Sequence, residues 1–204
     1  MLFDRNYNTI AQPTEATYTD KGSRFLAFSF PVNSEAEIKQ NLATLKLQYP
    51  DATHHCYVWI LNPDKSAQRI NDDGEPANTA ARPILKYINA LNLTNILVVV
   101  IRYFGGKKLG IPGLIDAYGM AAKLCLEKTE IVIKTLLDYF KIEVNFENEH
   151  MVYNLARKFS AIIEETTHTQ NVVITLSING SKTEAFIAEC RNLATFEYTF
   201  FKTE

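Results

Sequence analysis

The run Ile96-Leu97-Val98-Val99-Val100-Ile101 constrains this chain more than any other segment. Its β-branched side chains favour extended backbone, and an unbroken apolar run leaves no face for solvent. It predicts a strand over 95–104 that is covered on both faces. The run is far too short to cross a bilayer, so the cover must come from elsewhere in the chain. With 204 residues, 47% hydrophobic and 22% charged, the chain has the material for one large domain or two small ones.

Before that strand, two others are expected at 15–19 and 23–32. Asp20-Lys21-Gly22 supplies the turn between them, with Gly22 free to take positive φ. Ser34 is a candidate N-cap for a helix to about Tyr49, where Ile38, Leu42 and Leu45 fall near helical spacing. His54 to Leu61 alternates as a strand, with His54, Cys56, Val58 and Ile60 on one face and His55, Tyr57, Trp59 and Leu61 on the other. A polar segment around Asn71-Asp72-Asp73-Gly74-Glu75-Pro76 precedes a helix over 79–91, and a second helix is expected over 113–128.

From Thr135 the pattern changes. Strands are expected at 137–146, 162–167, 171–178 and 195–201, with helices at 149–159 and 181–191. That β-α-β-β-α-β order predicts a ferredoxin-like domain over 135–204, following an α/β domain over 1–134, and the fold class is α+β. Tyr139, Phe146, Tyr198, Phe200 and Phe201 are expected on the second sheet, facing its two helices.

Charge is uneven. Residues 1–134 hold 15 Lys/Arg and 13 Asp/Glu, whereas residues 135–204 hold 6 and 10. Bulk coating of nucleic acid is excluded by this balance, so any polyanion contact is a local patch, expected in the first domain. Cys56, Cys125 and Cys190 are few, scattered and mostly flanked by apolar residues, as expected of reduced core thiols rather than a disulfide scaffold. The opening Met1-Leu2-Phe3-Asp4-Arg5-Asn6-Tyr7 lacks the apolar stretch of a secretory signal, and a cytoplasmic location is expected.

Two constellations bear chemistry. Four of eight glycines, Gly105, Gly106, Gly110 and Gly113, fall within nine residues, after the apolar strand and before a helix. Glycine permits close backbone approach, a helix N-terminus presents free N–H groups, and Arg102, Lys107 and Lys108 add positive charge with no acid among them. The loop is read as an anion or nucleic-acid backbone site, or as a tight structural turn with solvated lysines. It matches neither a P-loop nor a dinucleotide fingerprint. Tyr103 and Phe104 beside it are assigned to core packing, with base stacking as the alternative.

The second constellation is His54-His55-Cys56 with Asp72, Asp73 and Glu75. Adjacent strand residues point to opposite faces, so the two histidines are poorly placed to serve one ion. With no His-x-x-x-His or Cys-x-x-Cys pair, no metal and no cofactor are expected. These side chains are read as a polar surface that recognises a partner, or as an acid–base set of a hydrolase or phosphate-ligand enzyme. Ser23, Ser66 and Cys56 lack the setting of a nucleophile, and no catalytic residue is assigned.

Taken in order, these motifs resemble the IMPACT/YigZ family, in its bacterial YigZ-type form. Lys21-Gly22-Ser23-Arg24-Phe25 is similar to the family's opening strand. His54-His55-Cys56-Tyr57-Val58-Trp59, Asn71-Asp72-Asp73-Gly74-Glu75-Pro76, Thr79-Ala80, Arg82-Pro83-Ile84-Leu85, Arg102-Tyr103-Phe104-Gly105-Gly106, Leu109-Gly110, Gly113-Leu114 and Ala117-Tyr118-Gly119 follow in its order. The chain departs from it at Ala77-Asn78, at Ala81 and at Pro112, whose ring removes one N–H from the glycine loop. The resemblance implies a first domain with the fold of ribosomal protein S5 domain 2 and a second like a domain of elongation factor G. It also implies a non-enzymatic regulator or accessory factor of translation, since eukaryotic IMPACT members compete for the activator of an amino-acid-starvation kinase. The partners implied are RNA, the ribosome or a translation-related protein, with no membrane and no DNA-specific signal. A protein–protein adaptor using the acidic second domain is the remaining alternative.

Overall fold

The computed structural model describes residues 5–193 and 197–203. They form a mixed α+β protein of two compact units, one of Tyr7–Lys134 and one of residues 135–203 with Arg5 and Asn6.

From Asn6 to Thr135, a span whose two end residues belong to the second unit, the chain runs β1 (Asn6–Ile10), β2 (Thr14–Asp20), β3 (Ser23–Pro31), α1 (Glu35–Gln48), β4 (His54–Leu61), β5 (Ala67–Asn71), α2 (Ala81–Ala90), β6 (Ile96–Tyr103), α3 (Gly110–Leu126) and β7 (Ile131–Thr135). Five strands make one antiparallel sheet in the order β2-β3-β6-β4-β5, and β1 pairs with β7. The apolar strand β6 lies at the centre and is buried from Ile96 through Arg102. Its even residues Ile96, Val98 and Val100 meet Ile84, Ile88, Leu114 and Tyr118 of α2 and α3. Its odd residues Leu97, Val99 and Ile101 meet Ile38 and Leu45 of α1. The alternation expected of β4 holds: Cys56, Val58 and Ile60 join the first cluster, Trp59 and Leu61 the second. Ser34 caps α1 by accepting from the Glu37 N–H at 3.3 Å, while the Glu37 carboxylate accepts from the Asn33 N–H at 2.9 Å, a reciprocal cap.

Strands β1, β5 and β7 were not expected. Each has five residues, too few for a periodicity to stand out, and β5 is polar and largely exposed. Helix α3 begins at Gly110 rather than Gly113. Pro112 sits in its first turn, where its missing N–H has no helical acceptor to lose.

The second unit runs β8 (Leu137–Val144), α4 (Glu149–Phe159), β9 (Ile162–His168), β10 (Val172–Asn179), α5 (Thr183–Asn192) and β11 (Glu197–Thr203), in a sheet ordered β11-β8-β10-β9. Phe140, Ile142, Ile174 and Leu176 pack against Val152, Leu155 and Phe186 of the helices. The start of β11, expected at Thr195, falls at 194–196, outside the described residues. Of the five aromatics expected beneath the helices, Tyr198 packs against that core and Phe200, though 48% exposed, lies beside Phe140; Tyr139 is half-buried against exposed Phe201 instead, and Phe146 is exposed in a 3-10 turn. Asp138 is buried and accepts hydrogen bonds from Arg5, Thr183 and Thr203, which accounts for a carboxylate inside this unit.

Among the described residues, no helix is long and apolar enough to cross a membrane.

Candidate functional site

Strand parity builds the site. Arg102 continues the even face of β6 beyond Val100, and across the sheet it pairs with Phe25 of β3 and His54 of β4. Directly opposed residues share a face, so Phe25, Arg102 and His54 form a row at one end of the sheet on the side of α2 and α3. The guanidinium lies 5.6 Å from the ring centres of both Phe25 and Phe104.

Arg102 was expected as a free cation beside Lys107 and Lys108. It is instead buried, its side chain 7% exposed, and its Nη1 donates to Glu75 Oε1 at 2.6 Å. The partner comes from 27 residues upstream, which is why the local sequence shows no acid. Glu75, expected on a polar surface, is likewise buried, at 4% side-chain exposure. The same Oε1 accepts from the Tyr118 hydroxyl at 2.8 Å and lies 3.8 Å from His54 Nε2. Burial makes such a pair costly unless its remaining valences are met, and Tyr118 meets one of them. Tyr118, buried in α3, is a site residue that its sequence setting does not mark. Cys56 donates its thiol to the Asp72 carbonyl at 3.1 Å or the Tyr118 hydroxyl at 3.4 Å, and burial pushes both the thiol and the phenol well above their ordinary pKa values.

The rest of the acidic segment does local work. Asp72 accepts from the backbone N–H groups of Asn78, Ala80 and Ala81 at 2.8, 3.0 and 2.8 Å, and so caps α2 from outside the helix. Asp73 accepts from the His55 N–H at 2.7 Å. His54 Nδ1 lies 2.7 Å from the Asp73 carbonyl, which can only accept, so this nitrogen carries the proton. His55 faces the opposite side of the strand, buried, with Nε2 unpartnered. Desolvation is the main cause holding its pKa below the ordinary value. Asp72, Asp73, Glu75 and a histidine therefore do not converge as one acid–base set: only Glu75 and His54 share a cleft. Among the described residues, no three His, Cys, Asp or Glu side chains gather as metal ligands.

The glycine loop divides by role. Gly105 packs against the β2–β3 turn so closely that a Cβ would lie 1.9 Å from the Gly22 carbonyl carbon. Its N–H donates to the buried Ser23 hydroxyl at 3.2 Å. Gly106 has φ +83° with open space around it, so its requirement is conformational only. Gly110 and Gly113 lie in the first turn of α3, whose N-cap position, Leu109, provides no side-chain acceptor. Lys107 and Lys108 are exposed, and neither has an acidic partner within salt-bridge distance among the described residues. Tyr103 is half-buried beneath the Arg24 guanidinium. Phe104, assigned to the core, is 48% exposed because β6 has ended and the chain has left the sheet.

These pieces enclose a cleft of about 380 Å³, lined by His54, Glu75, Arg102, Phe104, Lys108 and Ile111 among others. Anionic Glu75 is matched by Arg102, which leaves Lys108 and the α3 N-terminus as its uncompensated positive features.

Residues 21–126, a span that contains the whole cleft, match the family model described as the Impact N-terminal domain. The chain belongs to the IMPACT family. It is similar to an IMPACT family member of Haemophilus influenzae, 33% identical over 171 residues and covering 83% of each chain. It is also similar to the IMPACT family member YigZ of Escherichia coli, 29% identical over 181 residues, 88% of this chain and 89% of that one. A crystal structure of a hypothetical protein is similar at TM-score 0.72, with 25% identity over 98% of both chains. In this IMPACT family chain, three motifs that stand apart in the sequence each contribute to one cleft: His54 from the first, Glu75 and Pro76 from the second, Arg102 and Phe104 from the third.

Proposed function

We propose that this IMPACT family chain is a non-enzymatic regulator or accessory factor of translation that binds RNA, the ribosome or a ribosome-associated protein through the loop 104–110. The observation that carries the reading is Lys107 and Lys108, exposed without acidic partners beside a cleft whose other cation, Arg102, is already neutralised by Glu75. Unpaired lysines attract a phosphate backbone, whereas a buried, paired arginine positions the loop. Within this proposal the boundary between domains falls at 134/135. The first domain has the ribosomal protein S5 domain 2 fold, the second is ferredoxin-like and resembles an elongation factor G domain, and the protein works in the cytoplasm.

The test is a photoactivatable crosslinking residue at position 107, irradiated in the presence of ribosomes. Crosslinks to ribosomal RNA, a ribosomal protein or a bound factor support the reading. Crosslinking no greater than that of the same residue placed on exposed Leu47 would overturn it.

Hydrolysis is a second reading, favoured by His54: with Nδ1 held by the Asp73 carbonyl, its Nε2 is left on the Glu75 side as a candidate base. Metal analysis and a broad hydrolase screen test it, and turnover abolished by His54→Gln is the result it requires.

A further inference from the structure

Phosphate contacts alone do not account for Phe104. Its ring is 48% exposed and its centre lies 5.6 Å from the Arg102 guanidinium, so it packs on the buried ion pair and is still accessible from the cleft. It lies on the wall of an open, shallow cleft of about 380 Å³, a size in the range that holds small ligands. Ile111 is also on its lining and is 58% exposed, while Leu109 and Leu114 make its apolar depth.

The charged features are set beside this apolar wall. Lys108 lines the cleft, and the first N–H groups of the 17-residue helix α3 have no side-chain cap. The Arg102 side chain, 7% exposed, lines the same cleft; its Nη atoms are held by Glu75 and Ser23, and its buried Nε–H has no partner among the described residues. An anionic group beside a flat apolar ring is the chemistry of one nucleotide.

We propose that the cleft holds one unpaired nucleotide of a single-stranded RNA, its base stacked on Phe104 and its phosphate against Lys108 and the α3 N-terminus. This deepens the RNA-binding form of the proposed function and rests on it. A duplex buries its base faces in its own stack and presents only backbone, so it touches the lysines without using the ring. The cleft therefore selects single strands over duplexes.

The experiment is fluorescence anisotropy of the full chain with a labelled short oligoadenylate, alone and annealed to oligouridylate. Wild type, Phe104→Ala, Phe104→Trp and the double variant K107A/K108A are compared. Loss of one stacked base weakens single-strand binding of Phe104→Ala by about 5- to 150-fold. Duplex binding is unchanged in that variant, and Phe104→Trp restores single-strand affinity, which a merely unfolded loop would not allow. If Phe104→Ala binds both probes as wild type does while K107A/K108A loses them, the cleft assignment is wrong and the loop's polyanion role stands. If wild type binds neither probe, the cleft assignment and the RNA form of the proposed function fall together.

Discussion

Arg102→Met isolates the energetics of the site. The substitution keeps the apolar stem and removes the guanidinium, leaving Glu75 at 4% side-chain exposure with the Tyr118 hydroxyl as its remaining close donor. Breaking a buried pair on one side costs about 3–5 kcal/mol, because a charge is left uncompensated in a poorly polarisable setting. The surviving bond from Tyr118 places the expected loss near the lower end, about 3 kcal/mol. That is a large share of a domain stability of about 5–15 kcal/mol. Replacing both partners removes the stranded charge, so Arg102→Met with Glu75→Gln is expected to recover about 2 kcal/mol relative to the sum of the singles. Trp59 is the only tryptophan and is buried in the first unit, so its fluorescence in urea reports the unit that contains the pair. A loss below about 1 kcal/mol for Arg102→Met, or strict additivity in the double variant, would refute the claim that this ion pair is a buried, mutually dependent unit.

Three other outcomes follow from the same geometry. Gly105→Ala forces a Cβ into the Gly22 backbone and is expected to lower stability by well over 1 kcal/mol. Gly106→Ala meets only positive-φ strain, about 1 kcal/mol, and the ordering of the two in urea titrations checks the close approach. His55 has its folded-state pKa below the ordinary 6.5, so the unfolded chain takes up its proton first and stability falls as pH drops below 6.5. His55→Gln should show a shallower fall in urea midpoint over that window. Cys56, Cys125 and Cys190 are buried with raised pKa values, Cys190 pushed up to about 11, so the native protein should resist thiol reagents that modify all three after unfolding.

What the sequence disclosed followed from strong local signals. The β-branched run of β6 announced a strand buried on both sides, and the alternation of β4 set Cys56, Val58 and Ile60 on one face and Trp59 and Leu61 on the other; which helices cover them came from the fold. Ser34 announced the start of α1. Short polar edge strands such as β5 carry no comparable periodicity, and they form because a neighbour offers a ladder. In the site, the residue types were legible but their pairing was not. Arg102 finds Glu75 only because antiparallel pairing sets His54 opposite Arg102 and the acidic segment returns past that row. Asp72 looked like a recognition residue but is occupied by three backbone donors, two of them at a helix start eight and nine residues on. Tyr118 stood in the sequence only as part of the motif Ala117-Tyr118-Gly119, and only the fold puts its hydroxyl on a buried carboxylate.

Whether Lys107 and Lys108 carry binding is decided by ribosome cosedimentation across a salt series, with wild type beside K107A/K108A. The pair is chosen without Arg102, whose loss would unsettle the loop through Glu75. Wild type is expected to bind in a salt-sensitive manner. The slope against log salt concentration falls by about 1.4 in the double variant, about 0.7 for each single-strand phosphate that a lysine no longer neutralises. Binding that is unchanged by salt and by both substitutions, in a variant with native Trp59 fluorescence, would contradict it.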